Sequence, residues 1–206
     1  MYWKRLNTLV EQHRLYLILF TLWIFGLTII QLLYTQKDIS LIINQSNTNF
    51  LDILCKYGTH IGDGLFAVAI ALLIFWQKRE YFLIAAIVFI SSALFTQLLK
   101  HSLFSDFLRP INYVSEIASI HFVEGVTIHK YNSFPSGHST SIFAVCAVLH
   151  FIIPNKKIGT ALLLVAVFAG FTRIYLLQHF TIDVFVGSII GTLFAVLIFP
   201  FNKQKA

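Results

Sequence analysis

The sequence predicts an all-α polytopic membrane protein, a bundle of six transmembrane helices with its N- and C-termini cytoplasmic. Three observations carry that prediction. Hydrophobic residues make up 57% of the 206 residues and charged residues only 12%, with a mean hydropathy of +0.77. A soluble domain has about a quarter of its residues charged, so this chain cannot wrap one core in a charged shell. Six continuous apolar stretches, rather than segments of alternating polarity, exclude a β-barrel. The short basic segments between those stretches all fall on one side. The same composition excludes disorder, and with ten Gly, four Pro and two Cys it also excludes collagen-like and disulfide-scaffold classes.

The spans follow in order. The first runs from about Leu15 to Tyr34, the second from Ile61 to Trp76 and the third from Tyr81 to Leu99. The fourth covers about Gly137 to Ile153, the fifth Ile158 to Tyr175 and the sixth Ile182 to Phe201. The first is too long for a signal-peptide core and no small-residue cleavage site follows Tyr34, so it reads as a retained span. At about 20 residues per span the length leaves no room for a separate soluble domain, and residues 1–206 read as one domain.

Loop charges orient the bundle. Lys4, Arg5, Arg14, Lys78, Arg79, Lys156, Lys157, Lys203 and Lys205 lie on one side, which the positive-inside rule makes cytoplasmic. Asp38, Asp52, Asp63, Asp106, Glu116, Glu124 and Asp183 lie on the other. The net charge of +6 is thereby a topology signal, and no nucleic-acid partner is needed to explain it. The outer loops are the long ones. In the first, Phe50, Ile53, Leu54 and Tyr57 have helical spacing and predict a short interfacial helix capped by Ser46 or Asn47. Cys55 and Cys146 read as packing residues.

Ionisable groups at membrane depth are costly and mark function. Here they cluster at outer helix ends. Lys100 ends the third span and Arg109-Pro110 follows it. Pro135-Ser136-Gly137-His138 opens the fourth, where Pro in the first turn and Gly leave helix N-terminal amides open to an anion. Arg173 ends the fifth, and His179 and Asp183, four apart, share one helical face at the start of the sixth. A carboxylate bonded to one imidazole nitrogen fixes the tautomer and frees the other nitrogen as nucleophile or base. Fixed cations beside such a pair suit phosphoryl transfer.

These residues resemble the type 2 phosphatidic acid phosphatase (PAP2) family of membrane lipid phosphatases. That family's pattern is Lys-x6-Arg-Pro, Pro-Ser-Gly-His and Ser-Arg-x5-His-x3-Asp. This chain reads Lys100-x8-Arg109-Pro110, Pro135-Ser136-Gly137-His138 and Thr172-Arg173-x5-His179-x3-Asp183, a motif region of residues 100–183. The resemblance implies that His179 attacks phosphorus and forms a phosphohistidine while Asp183 orients it. His138 is implied to protonate the leaving group and then activate water. Lys100, Arg109, Ser136, Gly137 and Arg173 are implied to bind the phosphate, without a metal or other cofactor. The implied substrate is a lipid phosphate, with undecaprenyl diphosphate, phosphatidylglycerol phosphate, phosphatidic acid and lipid A phosphate as competitors, at the outer face of a bacterial inner membrane. A non-catalytic lipid-phosphate binder or transporter on the same scaffold is the other function class.

Two departures from the pattern stand out. Thr172 replaces Ser and keeps the hydroxyl. The first motif carries two extra residues, which on a continuous helix would put Lys100 and Arg109 on opposite faces. Either the helix ends near Lys100 and a loop restores convergence, or Lys100 is not a ligand and His101 or His121 substitutes. Asp63, between two glycines, reads as a turn residue within reach of the site. His60, His129 and Lys130 read as solvated loop residues, and His150 as a packing residue near the inner end of the fourth span.

Overall fold

The computed structural model describes residues 1–114 and 120–202, and every element in them is helical. In chain order these are α1 (Tyr2–Gln12), α2 (Arg14–Leu33), α3 (Gln36–Gln45), α4 (Asn49–Gly58), α5 (Gly64–Gln77), α6 (Arg79–Leu98), the single turn α7 (Ile111–Val114), α8 (Gly137–Ile152), α9 (Lys156–Tyr175) and α10 (Thr181–Ile198). Glu116, Lys203 and Lys205 lie outside the described residues.

Among the described residues four helices are long and apolar enough to cross a membrane: α2, α6 with the turn that extends it to Leu103, α9, and α10 with its extension to Phe201. Asn49–Gly62 and Gly64–Gln77 pass the same test together but meet at 56°. The sixth apolar helix, α8, has 16 residues and so spans about 24 Å. Leu22, Phe25, Ile90, Leu94 and Leu164 are each more than half exposed on the outside of the bundle. A soluble protein rarely shows so continuous an apolar shell, whereas in hydrocarbon it carries no penalty. The chain is an integral membrane protein.

α8 is the hub. It is the most enclosed element, packed by α6, α9 and α10, with Phe143, Ala144, Ala147 and Val148 fully buried. Its closest neighbour is α10, and the approach depends on a missing side chain. A Cβ on Gly187 would stand 2.6 Å from the Ser136 carbonyl oxygen and 3.0 Å from Ser139 Cβ. Small residues at such crossings let backbones meet where lipid offers no hydrophobic drive for association. At the other end of α10 the first helix packs against the last turns of the described chain. Tyr2 donates its hydroxyl proton to the Leu197 carbonyl at 2.8 Å, and its ring sits 4.6 Å from that of Phe201.

Three features differ from the sequence reading. α1 is a separate amphipathic helix with Leu9 buried, too polar to register as a span. α3 occupies what reads as loop, opened by a capping box in which Thr35 and Asp38 bond each other's amides. The cap of α4 is Thr48, whose Oγ1 accepts from the Leu51 amide at 3.2 Å. Ser46 and Asn47 instead donate back to carbonyls of α3, at Ile42 and Asn44. His150 is buried, stacked on Tyr16 and edge-on to His13. Cys55 and Cys146 are free and buried.

Gly187→Ala should destabilise the protein by about 1–3 kcal/mol, the usual cost of overpacking. Gly26→Ala in α2, where a Cβ meets nothing within 4 Å, is the neutral control. Thermal unfolding in detergent compares them, and equal midpoints would show that the α8–α10 contact is not tight.

Candidate active site

At the end of the bundle opposite the termini, the chain leaves α9 and enters α10 through a turn that sets the spacing between Arg173 and His179. The amides of Gln178 and His179 both return to the Arg173 carbonyl, at 2.9 and 3.1 Å. Leu177 closes the turn at φ 54°, in the left-handed region that a branched side chain rarely adopts. Strain of this kind persists where surrounding packing enforces it, and Leu177 is buried.

The turn delivers His179 onto Asp183. His179 Nδ1 lies 3.2 Å from Asp183 Oδ2, and both side chains are 2% exposed. The same carboxylate oxygen accepts the Ser133 hydroxyl at 2.5 Å and the Phe180 amide at 2.9 Å. An acceptor on Nδ1 leaves Nε2 as the nitrogen with a free lone pair. Burial, then Arg173, Arg109, Lys100 and His138, push the His179 pKa well below its usual 6.5. The imidazole is therefore neutral at pH 7, as a nucleophile must be. Ser133 is a site residue the sequence reading did not single out, and a serine in a loop offers no signal for its partner.

α8 begins against this pair. Its N-cap is Ser136, whose Oγ accepts from the Ser139 amide and hydroxyl at 3.3 and 3.0 Å. The Ser136 amide donates to the Asp183 carbonyl at 3.1 Å, which locks the start of α8 to the start of α10. Above Gly137 the space is open, its nearest neighbour being Gln97 at 4.0 Å from a built Cβ. His138 Nε2 lies 2.7 Å from Asp63 Oδ1. The sequence reading of Gly62-Asp63-Gly64 as a turn holds, and its carboxylate does reach the site.

Three cations surround His179. α6 gives way at Leu99 to a π-helical turn, Leu99–Leu103, closed by the Phe104 amide on the Leu99 carbonyl at 3.0 Å. A loop then carries the chain to Arg109. Lys100 and Arg109 are each 8% exposed, and both act electrostatically on His179. The extra residues of the first motif are thus absorbed by a change of helix type and a loop. Among the described residues Lys100 makes no side-chain hydrogen bond. Arg109 is heavily committed: its guanidinium donates to the Tyr131, Asn132 and Gln178 carbonyls and to Gln178 Oε1. Arg173 donates Nη1 to Thr59 Oγ1 at 2.7 Å, while its buried Nε has no partner among the described residues.

The structure takes the other proposed donors elsewhere. His121 Nε2 binds Asp52 at 2.9 Å, and its backbone pairs with the side chain of Asn44, so it serves to tie its loop to α3 and α4. His101 is exposed on the π turn. His60 is two-thirds exposed, as a loop residue should be, yet it bonds Asp63 at 2.8 Å. Among the described residues no cluster of three or more His, Cys, Asp or Glu is placed to hold a metal.

The family model of the PAP2 superfamily matches residues 80–206, more than half the chain and all three motif segments. The chain belongs to the PAP2 superfamily. It is an enzyme of the membrane lipid phosphatase class. Undecaprenyl-diphosphatase BcrC of Bacillus subtilis is 29% identical over 66% of this chain and 68% of its own length. Lipid A 1-phosphatase of Rhizobium etli is 27% identical over 68% of this chain and 66% of its own length, so the match spans about two thirds of each relative. The crystal structure of Aquifex aeolicus LpxE superimposes with a TM-score of 0.69 over 80% of this chain and 94% of that one, at 22% identity. A PAP2-type phosphatidylglycerolphosphate phosphatase from Bacillus subtilis gives 0.64 over 92% and 96%, also at 22%. These two share the fold.

A buried neutral histidine makes stability pH-dependent. As pH falls through 6.5 the unfolded chain takes up a proton at His179 that the folded chain refuses, so stability falls on acidification by up to about 1.4 kcal/mol per pH unit. His179→Gln removes this contribution. Its melting temperature relative to the parent should rise as pH is lowered from 7.5 to 5.5, and a constant difference would mean that His179 titrates normally.

Proposed function

We propose that this PAP2 protein hydrolyses a phosphate monoester or diphosphate on a membrane lipid, without a metal, through a phosphohistidine on His179. The buried His179–Asp183 pair ringed by Lys100, Arg109 and Arg173 is the observation that carries this reading. His179 Nε2 attacks phosphorus while the bond to the leaving oxygen breaks, and His138 gives that oxygen a proton. His138 then takes a proton from water, whose oxygen attacks phosphorus as the N–P bond breaks. Asp183 holds the His179 Nδ1 proton and offsets the positive charge that grows on the ring.

The three cations, with Ser136 and the Gly137 amide, bind the equatorial oxygens and stabilise their charge in the transition state. Lys100 and the unpartnered Arg173 Nε have free donors, and Arg109 keeps one Nη2 hydrogen beyond its carbonyl contacts. These fixed charges do the electrostatic work that Mg²⁺ performs in other phosphoryl-transfer sites.

A lipid substrate fits the surroundings. An apolar cavity of about 330 Å³ between α5 and α6 is lined by Gly64, Ala67, Ala71, Ala86, Phe89 and Ala93, and it begins one residue from Asp63. An alkyl or prenyl tail in that groove puts its head group at the site. The named substrates of the relatives, undecaprenyl diphosphate and lipid A, set the first compounds to test beside phosphatidylglycerol phosphate and phosphatidic acid.

Six spans with both termini cytoplasmic complete the proposal, α4–α5 counting as one bent span and α8 as the short central one. Arg14, Lys78, Arg79, Lys156 and Lys157 all lie at or near helix ends on the side of the termini, the pattern expected of a cytoplasmic face. In a bacterial inner membrane the site then faces the periplasm.

Phosphate release over that lipid panel tests the reading. Turnover should persist in EDTA, be blocked by vanadate, which mimics pentacoordinate phosphorus, and fall by roughly 10³-fold or more in His179→Ala. A strict Mg²⁺ requirement, or turnover that survives His179→Ala, would contradict it. Lys100→Ala should lower kcat/KM by roughly 10²-fold, the usual worth of one transition-state donor; an unchanged value would remove Lys100 from the phosphate site.

A further inference from the structure

The bend between α4 and α5 is where a fourth segment reaches the site. The two helices meet at 56° across the 3-10 turn Thr59–Gly62 and the residue after it, Asp63. This short stretch touches two groups of the proposed machinery. Thr59 Oγ1 accepts from Arg173 Nη1 at 2.7 Å, and Thr59 is buried. Asp63 stands between two histidines, with Oδ1 2.7 Å from His138 Nε2 and Oδ2 2.8 Å from His60 Nδ1. The backbone presses on the same ring. A Cβ on Gly62 would lie 3.0 Å from His138 Cβ, 3.2 Å from its carbonyl oxygen and 3.3 Å from Cδ2.

We propose that Thr59–Asp63 is a fourth functional segment, in which Asp63 is the positioning residue for His138 and Thr59 that for Arg173. The inference rests on the reading of His138 as proton donor and acceptor. Imidazole has two nitrogens, and only one can face the reacting oxygen. With Nε2 on Asp63, Nδ1 is the nitrogen left for chemistry. In the first step Nδ1 loses its proton to the leaving oxygen, and the remaining ring proton stays on Nε2 against the carboxylate. In the second step Nδ1 accepts a proton from the attacking water, and the starting state returns.

The charges around His138 explain why a carboxylate is needed there. Arg173 faces it from α9 and Arg109 from the outer loop, with His179 beyond them. Against two guanidiniums, Asp63 is the counter-charge that partly offsets them and favours a proton on His138. His60 binds the second carboxylate oxygen from the solvent side, which keeps Oδ1 aimed at His138. Gly62 admits the ring, and any side chain there would push it away.

The test compares Asp63→Asn and Asp63→Glu with the parent protein on two probes, dioctanoyl phosphatidic acid and p-nitrophenyl phosphate. The first has a poor leaving group that needs a proton, and the second has a good one that needs little help. Asp63→Asn should lower kcat on phosphatidic acid by roughly 10- to 100-fold, a fraction of what general acid catalysis is worth in full. It should spare KM, cost much less on the aryl phosphate and move the alkaline limb of the pH–rate profile to lower pH. Asp63→Glu should restore part of the rate. Equal losses on both probes with an unmoved pH profile, or no loss at all, would overturn the assignment of Asp63 while the parent's turnover leaves the phosphatase reading intact. A parent protein inactive on both probes and on the lipid panel would overturn that reading, and this inference with it.

Discussion

One carboxylate organises the site. Asp183 takes three donors on a single oxygen, from the imidazole of His179, the hydroxyl of Ser133 and the amide of Phe180, and its backbone carbonyl takes a fourth from Ser136. Those contacts join the α9–α10 turn, the loop before α8 and the first turns of α8 and α10. A buried carboxylate with so many partners is expensive to disturb, because removing it strands each donor in a low dielectric. The geometry of the imidazole is thus a property of several chain segments rather than of two side chains.

Around that centre the fold supplies closeness and charge by separate means. Closeness comes from glycine: Gly187 brings α10 onto the start of α8, and Gly62 brings the bend of α4–α5 onto His138. Charge comes from two helix ends and a loop, with Lys100 on the π turn after α6, Arg173 in the last turn of α9 and Arg109 on the loop that follows the π turn. Arg109 has a second task. By holding the carbonyls of residues 131, 132 and 178 it fastens the loop before α8 to the segment that carries His179. One side chain can hold three carbonyls because a guanidinium has five N–H groups in a rigid plane.

Much of this was legible in the sequence because membrane solvation leaves few alternatives. Continuous apolar runs located α2, α5, α6, α8, α9 and α10 to within a few residues, and the four-residue spacing of His179 and Asp183 survives as a direct contact. What escaped depends on amphipathic or tertiary features. α1 and α3 are too polar for a hydropathy signal, and the cap of α4 falls at Thr48 because Ser46 and Asn47 are consumed in ending α3. The nine-residue separation of Lys100 and Arg109 looks wrong on an α-helix and is accommodated only once the helix widens to a π turn. Asp63 carried a faint signal, a carboxylate at the outer mouth of a span, but its partner is set by a 56° bend that no local pattern announces. Ser133 carried none.

In the proposed chemistry His179 becomes covalently attached to phosphorus during turnover. Rapid quenching into alkali, where phosphohistidine survives, followed by peptide mass mapping tests it most directly. Phosphate is expected on His179 within the first turnover and on no other residue. Steady turnover with no covalent phosphate, or phosphate carried on His138 instead, would contradict it.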